Sequence, residues 1–183
     1  IGLPEAKALA ALLLLLAARL PARVDTEGEA VLLEQQDRTL WDRALIARGY
    51  ARLAAAATGD NLSEFHLLAA IAADHARAPS FAETDWESIR AYYDLLVRVA
   101  PSPLHRLNRA VALAMPAQPA RGLVELDTLI DEPALAGFHM LHTVRGELLR
   151  RAGRNTEASA AFAHAHALAP NDAVRRFLSK RLD

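Results

Sequence analysis

"GELLRRAGRNTEASAAFAHAHALAP" runs from Gly146 to Pro170, and its reading decides the fold. Gly153 follows a run that closes on Arg150 and Arg151, and Asn155 or Thr156 stands ready to cap what comes next. That order of basic last turn, glycine and capping residue predicts a helix, a tight turn and a second helix ending before Pro170. Inside the second helix, Ala158, Phe162, Ala165 and Pro170 are separated by four, three and five residues. Ile89, Tyr93, Leu96 and Pro101 repeat those separations 69 residues earlier. Gly146 lies twelve residues before Ala158, where a small residue lets two helices approach closely. Ala110, Leu126 and Leu129 fit a looser version between the two sets.

The 69-residue offset is close to twice the 34-residue period of tetratricopeptide repeats. The set Gly146, Ala158, Phe162, Ala165 and Pro170 resembles one such repeat. The expectation is an all-α protein of tetratricopeptide-like stacked helix pairs, a curved solenoid with a terminal capping helix. Residues 1–183 are expected to form a single helical domain, with N-terminal helices and a loop over 1–60 and repeats plus cap over 61–183. A solenoid of this kind leaves a concave surface for peptides, proteins or small molecules.

Working outward, proline and glycine punctuate the chain at helical intervals, and alternation of the strand type is nearly missing. Pro4 opens a first helix that ends before Pro21, and "DTEGE" marks a loop. A second helix is expected from Asp37 to Ala57, stopping at "TGDN", and a third from Ser63 to Ala78. "TDWE" reads as a capping box with Thr84 as cap and Glu87 reaching back. Ser102 and Pro103 open the next helix, Pro119 and Pro133 the two after it, and Asn171 caps the last.

The chain has 183 residues, 52% hydrophobic and 23% charged, with a formal net charge of -1. It is long enough for a sizeable core. Its charge balance offers no general attraction for nucleic acid, so direct nucleic-acid binding is not expected. The absence of cysteine excludes disulfides, thiol catalysis and thiolate metal sites, and fits a cytoplasmic protein. "ALAALLLLLAA" from Ala8 to Ala18 is too short to span a bilayer and reads as a buried first helix, with no membrane contact expected. A chain opening at Ile1, without methionine, reads as part of a longer protein.

Four constellations invite a function. In "LLEQQDRTLWDRAL", Leu32 to Leu45, one continuous helix would set Glu34, Asp37, Arg38, Trp41 and Asp42 on one face. Such a face is either a ligand surface or a buried tryptophan flanked by a cap and an ion pair. Asn108 sits in an apolar stripe of Leu104, Leu107, Val111 and Met115, so a partner for its amide is expected. A peptide-carboxylate clamp on Asn108 would need a basic residue on the following helix, but Met140 and Val144 occupy those positions. Of seven histidines, His139 and His142 are one turn apart, whereas His164 and His166 point in different directions, so no metal site is expected. His75 follows the small-residue run "AAIAAD" and reads as a core histidine. No nucleophile elbow, phosphate loop or dinucleotide fingerprint occurs, so neither an enzyme nor a cofactor is expected.

In order, "LLEQQDRTLWDRALI", "FHLLAAIAADHA", "TDWESIRAYYDLL", "SPLHRLNRAVALA" and "LLRRAGRNTEASAAFAHAHAL" resemble the C-terminal, tetratricopeptide-like extension of a group of extracytoplasmic-function RNA polymerase sigma factors. The resemblance covers essentially the whole chain. Sigma regions 2 and 4 are absent from this chain. The first helix is more uniformly apolar than the resemblance implies, and Leu68 stands where a glutamine is expected. The resemblance implies a regulatory domain that controls a transcription initiation factor through the parent chain's sigma regions or RNA polymerase. It singles out Asp37, Arg38, Trp41, His75, Asp85, Trp86, Asn108 and Arg109 as an interaction or inter-helix seam. The alternatives are a small-ligand sensor with a pocket lined by Trp41, Tyr93 and His75, and a hydrolase.

Overall fold

A computed structural model describes residues 3–58 and 61–182. It contains nine α-helices and no β-strand among these residues. The chain divides into two compact units, Ile1–Pro101 and Ser102–Asp183.

The first unit holds α1 (Pro4–Ala17), α2 (Arg43–Ala56), α3 (Glu64–Arg77) and α4 (Trp86–Val99). Pro4 starts α1 because its missing N–H is not needed in a first turn. Ala8, Ala11, Leu15 and Ala18 recur at helical spacing and are fully buried against α2 and α3. Gly49 of α2 permits this approach, since a Cβ there would lie 2.7 Å from Leu15 Cγ. The "DTEGE" segment is a loop. Asp25 Oδ1 accepts from the amides of Glu27 and Glu29, Gly28 takes φ +78°, and Val24 bridges Ala30.

Leu32–Leu45 is not one helix. Two 3-10 turns, Leu33–Gln35 and Arg38–Leu40, are separated by extended backbone, and α2 starts only at Arg43. Two aspartates cause the break. Asp37 caps the turn by accepting from Thr39 N, and Asp42 caps α2 by accepting from Leu45 N. Each carboxylate satisfies a local amide that a continuous helix would bond to the backbone. The expected stop at "TGDN" falls partly on residues 59 and 60, outside the described residues. Ser63 does cap α3, with the His66 ring completing the box. α4 ends at Val99, ahead of Pro101.

The second unit holds α5 (Pro103–Ala114), α6 (Pro119–Asp127), α7 (His139–Arg151), α8 (Asn155–Ala167) and α9 (Asp172–Ser179). Pro103 and Pro119 open helices as expected. Pro133 opens only the 3-10 turn Pro133–Leu135, and α7 starts afresh at His139 after extended backbone at Phe138. The turn read at Gly153 is a Schellman motif. Gly153 has φ +74°, its N–H reaches Arg150 O at 3.0 Å, and Arg154 N–H reaches Leu149 O at 2.9 Å. The core of this unit includes Leu107, Leu126, Leu129, Leu141, Leu149, Phe162 and Leu178.

The hairpins α5/α6 and α7/α8 use equivalent positions. Ala110, Gly122, Leu126 and Leu129 match Gly146, Ala158, Phe162 and Ala165 at a constant offset of 36, and all eight are buried. A Cβ on Gly146 would stand 2.7 Å from Phe162 Cε1, and one on Gly122 2.6 Å from Ala110 O. α4 keeps part of the pattern, with Ile89 and Leu96 buried and Tyr93 half-buried. The position matching Gly146 there, 69 residues back, is Arg77, whose side chain is 72% exposed. α9 is capped by Asn171, and Arg181 just beyond it bonds Glu147 of α7 at 2.7 Å.

Candidate interaction site

The first unit gathers Arg38, Trp41, His75 and Trp86 around the C-terminal end of α3. The capped turn at Asp37 aims the Arg38 guanidinium at this end. Its Nη1 donates to His75 O at 2.5 Å and to Ala78 O at 2.7 Å, and Nη2 to Thr84 Oγ1 at 3.4 Å. The last carbonyls of a helix lack intrahelical partners and carry partial negative charge, so a guanidinium there serves as an external C-cap. Arg38 is 8% exposed. Burial draws its pKa down, opposed by Glu83.

Trp41 is buried beneath two cations. The Arg38 guanidinium lies 4.7 Å from its ring centroid and that of Arg19 5.2 Å. Arg19 is held by Gln36 Oε1, at 3.3 Å from Nη2. Burial, then Arg23 and Arg38, lowers the Arg19 pKa to about 10. The same two arginines act on His75. Burial first, then Arg19 and Arg38, lowers its pKa to about 4, so the ring is neutral at pH 7. His75 packs edge-on against Trp86 at 5.4 Å, and Phe81 packs on Trp86 at 5.0 Å. Trp41 Nε1 and His75 Nδ1 are buried with no hydrogen-bond partner among the described residues.

The aspartates of the motif set have structural duties. Asp37 accepts from Thr39 N and Oγ1, and these bonds lower its pKa. Asp85, not Thr84, caps α4. It accepts from Ser88 N at 3.0 Å and Ser88 Oγ at 2.8 Å, bonds that lower its pKa. Thr84 is buried and donates to Ser80 O while receiving Arg38. The cap therefore sits one residue later than expected, because Asp85 is the stronger acceptor next to the first helical turn, and Glu87 faces Arg90 at 3.7 Å instead of reaching back to Thr84.

Asn108 and Arg109 belong to the second unit. Asn108 is half-buried in α5, and Leu104 of the same stripe is 45% exposed. Arg109 Nη1 pairs with Glu125 Oε2 at 3.0 Å, and Arg106 Nε with Glu125 Oε1 at 3.1 Å. Glu125 thus ties α6 to α5, and Arg109 is engaged in that tie. His142 and His164 stack with centroids 3.9 Å apart and planes within 8°. Burial first, then His164 and Arg145, lowers the His142 pKa. Stacked rings cannot both aim a nitrogen at one ion. Among the described residues, no group of three or more His, Cys, Asp or Glu gathers as metal ligands do.

Two clefts of the first unit, of about 370 and 210 Å³, lie where α2 ends and α3 begins. The larger is mostly apolar, with Leu53, Ala70, Leu62 and His66 in its wall, and neither is lined by Trp41, Tyr93 or His75. Tyr93 is half-buried, and burial raises its hydroxyl to about 12. The sequence reading missed Arg19, Gln36, Gly122 and Glu125, and it gave Thr84 a capping role in place of its bond to Arg38. Only Gly122 left a trace, at twelve residues after Ala110. The others depend on contacts between distant segments.

Residues 2–57, spanning α1, the Arg38 turn and α2, match a family of unknown function, DUF6596. Over 180 residues the chain is 42% identical to an uncharacterized protein of Rhizobium meliloti (strain 1021). That similarity covers 98% of this chain, which spans 42% of the relative's length. No solved structure matches the chain. Among the described residues no helix is long and apolar enough to cross a membrane.

Proposed function

We propose that this chain is a regulatory, protein-interaction domain of an RNA polymerase sigma factor of the extracytoplasmic-function type. It acts in the cytoplasm on the sigma regions of its parent polypeptide or on the polymerase, without contacting nucleic acid itself. The five ordered motifs support the assignment to that group. The observation that carries the mode of action is the Arg38 cluster. Four motif residues, Arg38, Trp41, His75 and Trp86, converge there on helix capping and packing. A motif set spent on scaffold geometry fits a docking domain better than an enzyme. The equivalent small and aromatic positions of α5/α6 and α7/α8 support a tetratricopeptide-like pairing of these helices, with α9 as the solvating cap.

The test combines binding and activity. The purified chain is immobilised and offered core RNA polymerase, or the remaining region of the Rhizobium relative. Retention of either is expected. In parallel, promoter-dependent initiation by core polymerase with the relative is compared before and after its matched region is removed. A change in initiation is expected. No retention together with unchanged initiation overturns the reading.

A further inference from the structure

The outward face of α1 is a ridge of leucines. Leu9, Leu13 and Leu16 are spaced by four and three, which keeps them on one side of α1, and Leu20 extends the apolar run into the 3-10 turn Leu20–Ala22 just beyond the helix. The three helical leucines lie opposite Ala8, Ala11 and Leu15, the fully buried side. Leu13 and Leu20 are each 57% exposed, and Leu9 and Leu16 are half-buried. No charged residue occurs from Ala8 to Ala18. A surface helix ordinarily turns a polar face to water, and one apolar all round is ordinarily covered on both sides. A contiguous exposed apolar ridge marks an interaction surface.

We propose that this ridge docks an amphipathic helix supplied by the remainder of a longer parent polypeptide. The partner helix presents leucine, valine, isoleucine or alanine at three- and four-residue spacing, to interdigitate with Leu9, Leu13, Leu16 and Leu20. The proposal rests on reading the chain as one domain of a longer protein. The Rhizobium relative supports that source, because the chain spans only 42% of it and the rest is available to cover α1. A tethered segment is present at an effective concentration of about a millimolar, far above that of a second copy. A membrane surface is disfavoured by geometry. Helices that lie on bilayers put a Lys- and Arg-rich face opposite the apolar one, whereas α1 buries alanine and leucine there.

Two measurements test this. In the first, the intact relative and the same protein trimmed to its matched 180 residues are compared by hydrogen exchange over the segment aligned with residues 9–20. Trimming is expected to speed exchange there by about tenfold or more, and equal exchange overturns the proposal. In the second, the 183-residue chain and its Leu13→Glu/Leu20→Glu variant are examined by sedimentation velocity, circular dichroism and binding of a hydrophobic dye. Both are expected to be monomeric and equally helical, with most dye binding lost in the variant. A dimer that the variant dissociates assigns the ridge to a second copy, and retention on phosphatidylcholine vesicles assigns it to a membrane. Either result overturns the proposal. Faster exchange on trimming, with no effect of the domain on transcription, would keep the docked helix and remove the sigma reading alone.

Discussion

At the scale of single residues, the first unit depends on one arginine placed where a helix runs out of internal partners. Arg38 supplies two carbonyl bonds at the end of α3 and a cation above Trp41. Charged hydrogen bonds of this kind contribute about 1.5–3 kcal/mol each, and the exposed alternatives are poor. Arg38→Ala is therefore expected to lower the stability of the first unit by about 2–4 kcal/mol. Arg38→Lys should recover only part of this, since an ammonium lacks the planar fork. Urea unfolding of the three proteins measures both. His75 adds a pH dependence whose sign follows from its lowered pKa. The unfolded ring binds a proton near pH 6.5 and the folded ring only near 4, so the unfolded state takes up more protons between these values. Stability is complete above pH 6.5 and declines as pH falls toward 4, by up to on the order of 3 kcal/mol. Between pH 7 and 5 the urea midpoint is expected to fall in the wild type and to fall less in His75→Leu.

At the scale of elements, the glycines of the second unit set the distance between paired helices. A Cβ on Gly146 meets the buried Phe162 ring at 2.7 Å, whereas one on Gly122 meets backbone, Ala110 O, at 2.6 Å. Both Gly→Ala substitutions are expected to destabilise by about 1–3 kcal/mol. Gly122→Ala should cost more, because a ring can rotate slightly and a helix carbonyl cannot. Thermal unfolding followed by circular dichroism gives the order, and the reverse order would contradict the packing described. The elements also show what was legible beforehand. Helices opened by Pro4, Pro103 and Pro119, the turn at Gly153 and the cap at Asn171 were readable, since each rests on local backbone chemistry. The break between Asp37 and Asp42 was not read, although two side-chain acceptors five residues apart are a local signal for it. Pro133 misled because the same residue opens a 3-10 turn as readily as an α-helix. Of the site, residue types were legible and partners were not. Arg38 bonds atoms 37 and 40 residues away, and Glu125 draws in Arg106 and Arg109.

At the scale of the whole molecule, the boundary after Pro101 separates two units that each own a hydrophobic cluster. A fragment of residues 102–183 carries its own core, its caps and the Arg181–Glu147 tie. It is expected to fold alone and to melt cooperatively by circular dichroism. A featureless melt would show that this core is insufficient by itself. Both tryptophans, Trp41 and Trp86, lie in the first unit. Intrinsic tryptophan emission is therefore carried by the first unit, while far-ultraviolet ellipticity is summed over both units. A mismatch between the two unfolding curves would measure how far the halves melt separately. Trp86, edge-on to His75, also carries an optical record of that ring's charge, because an imidazolium quenches a neighbouring indole.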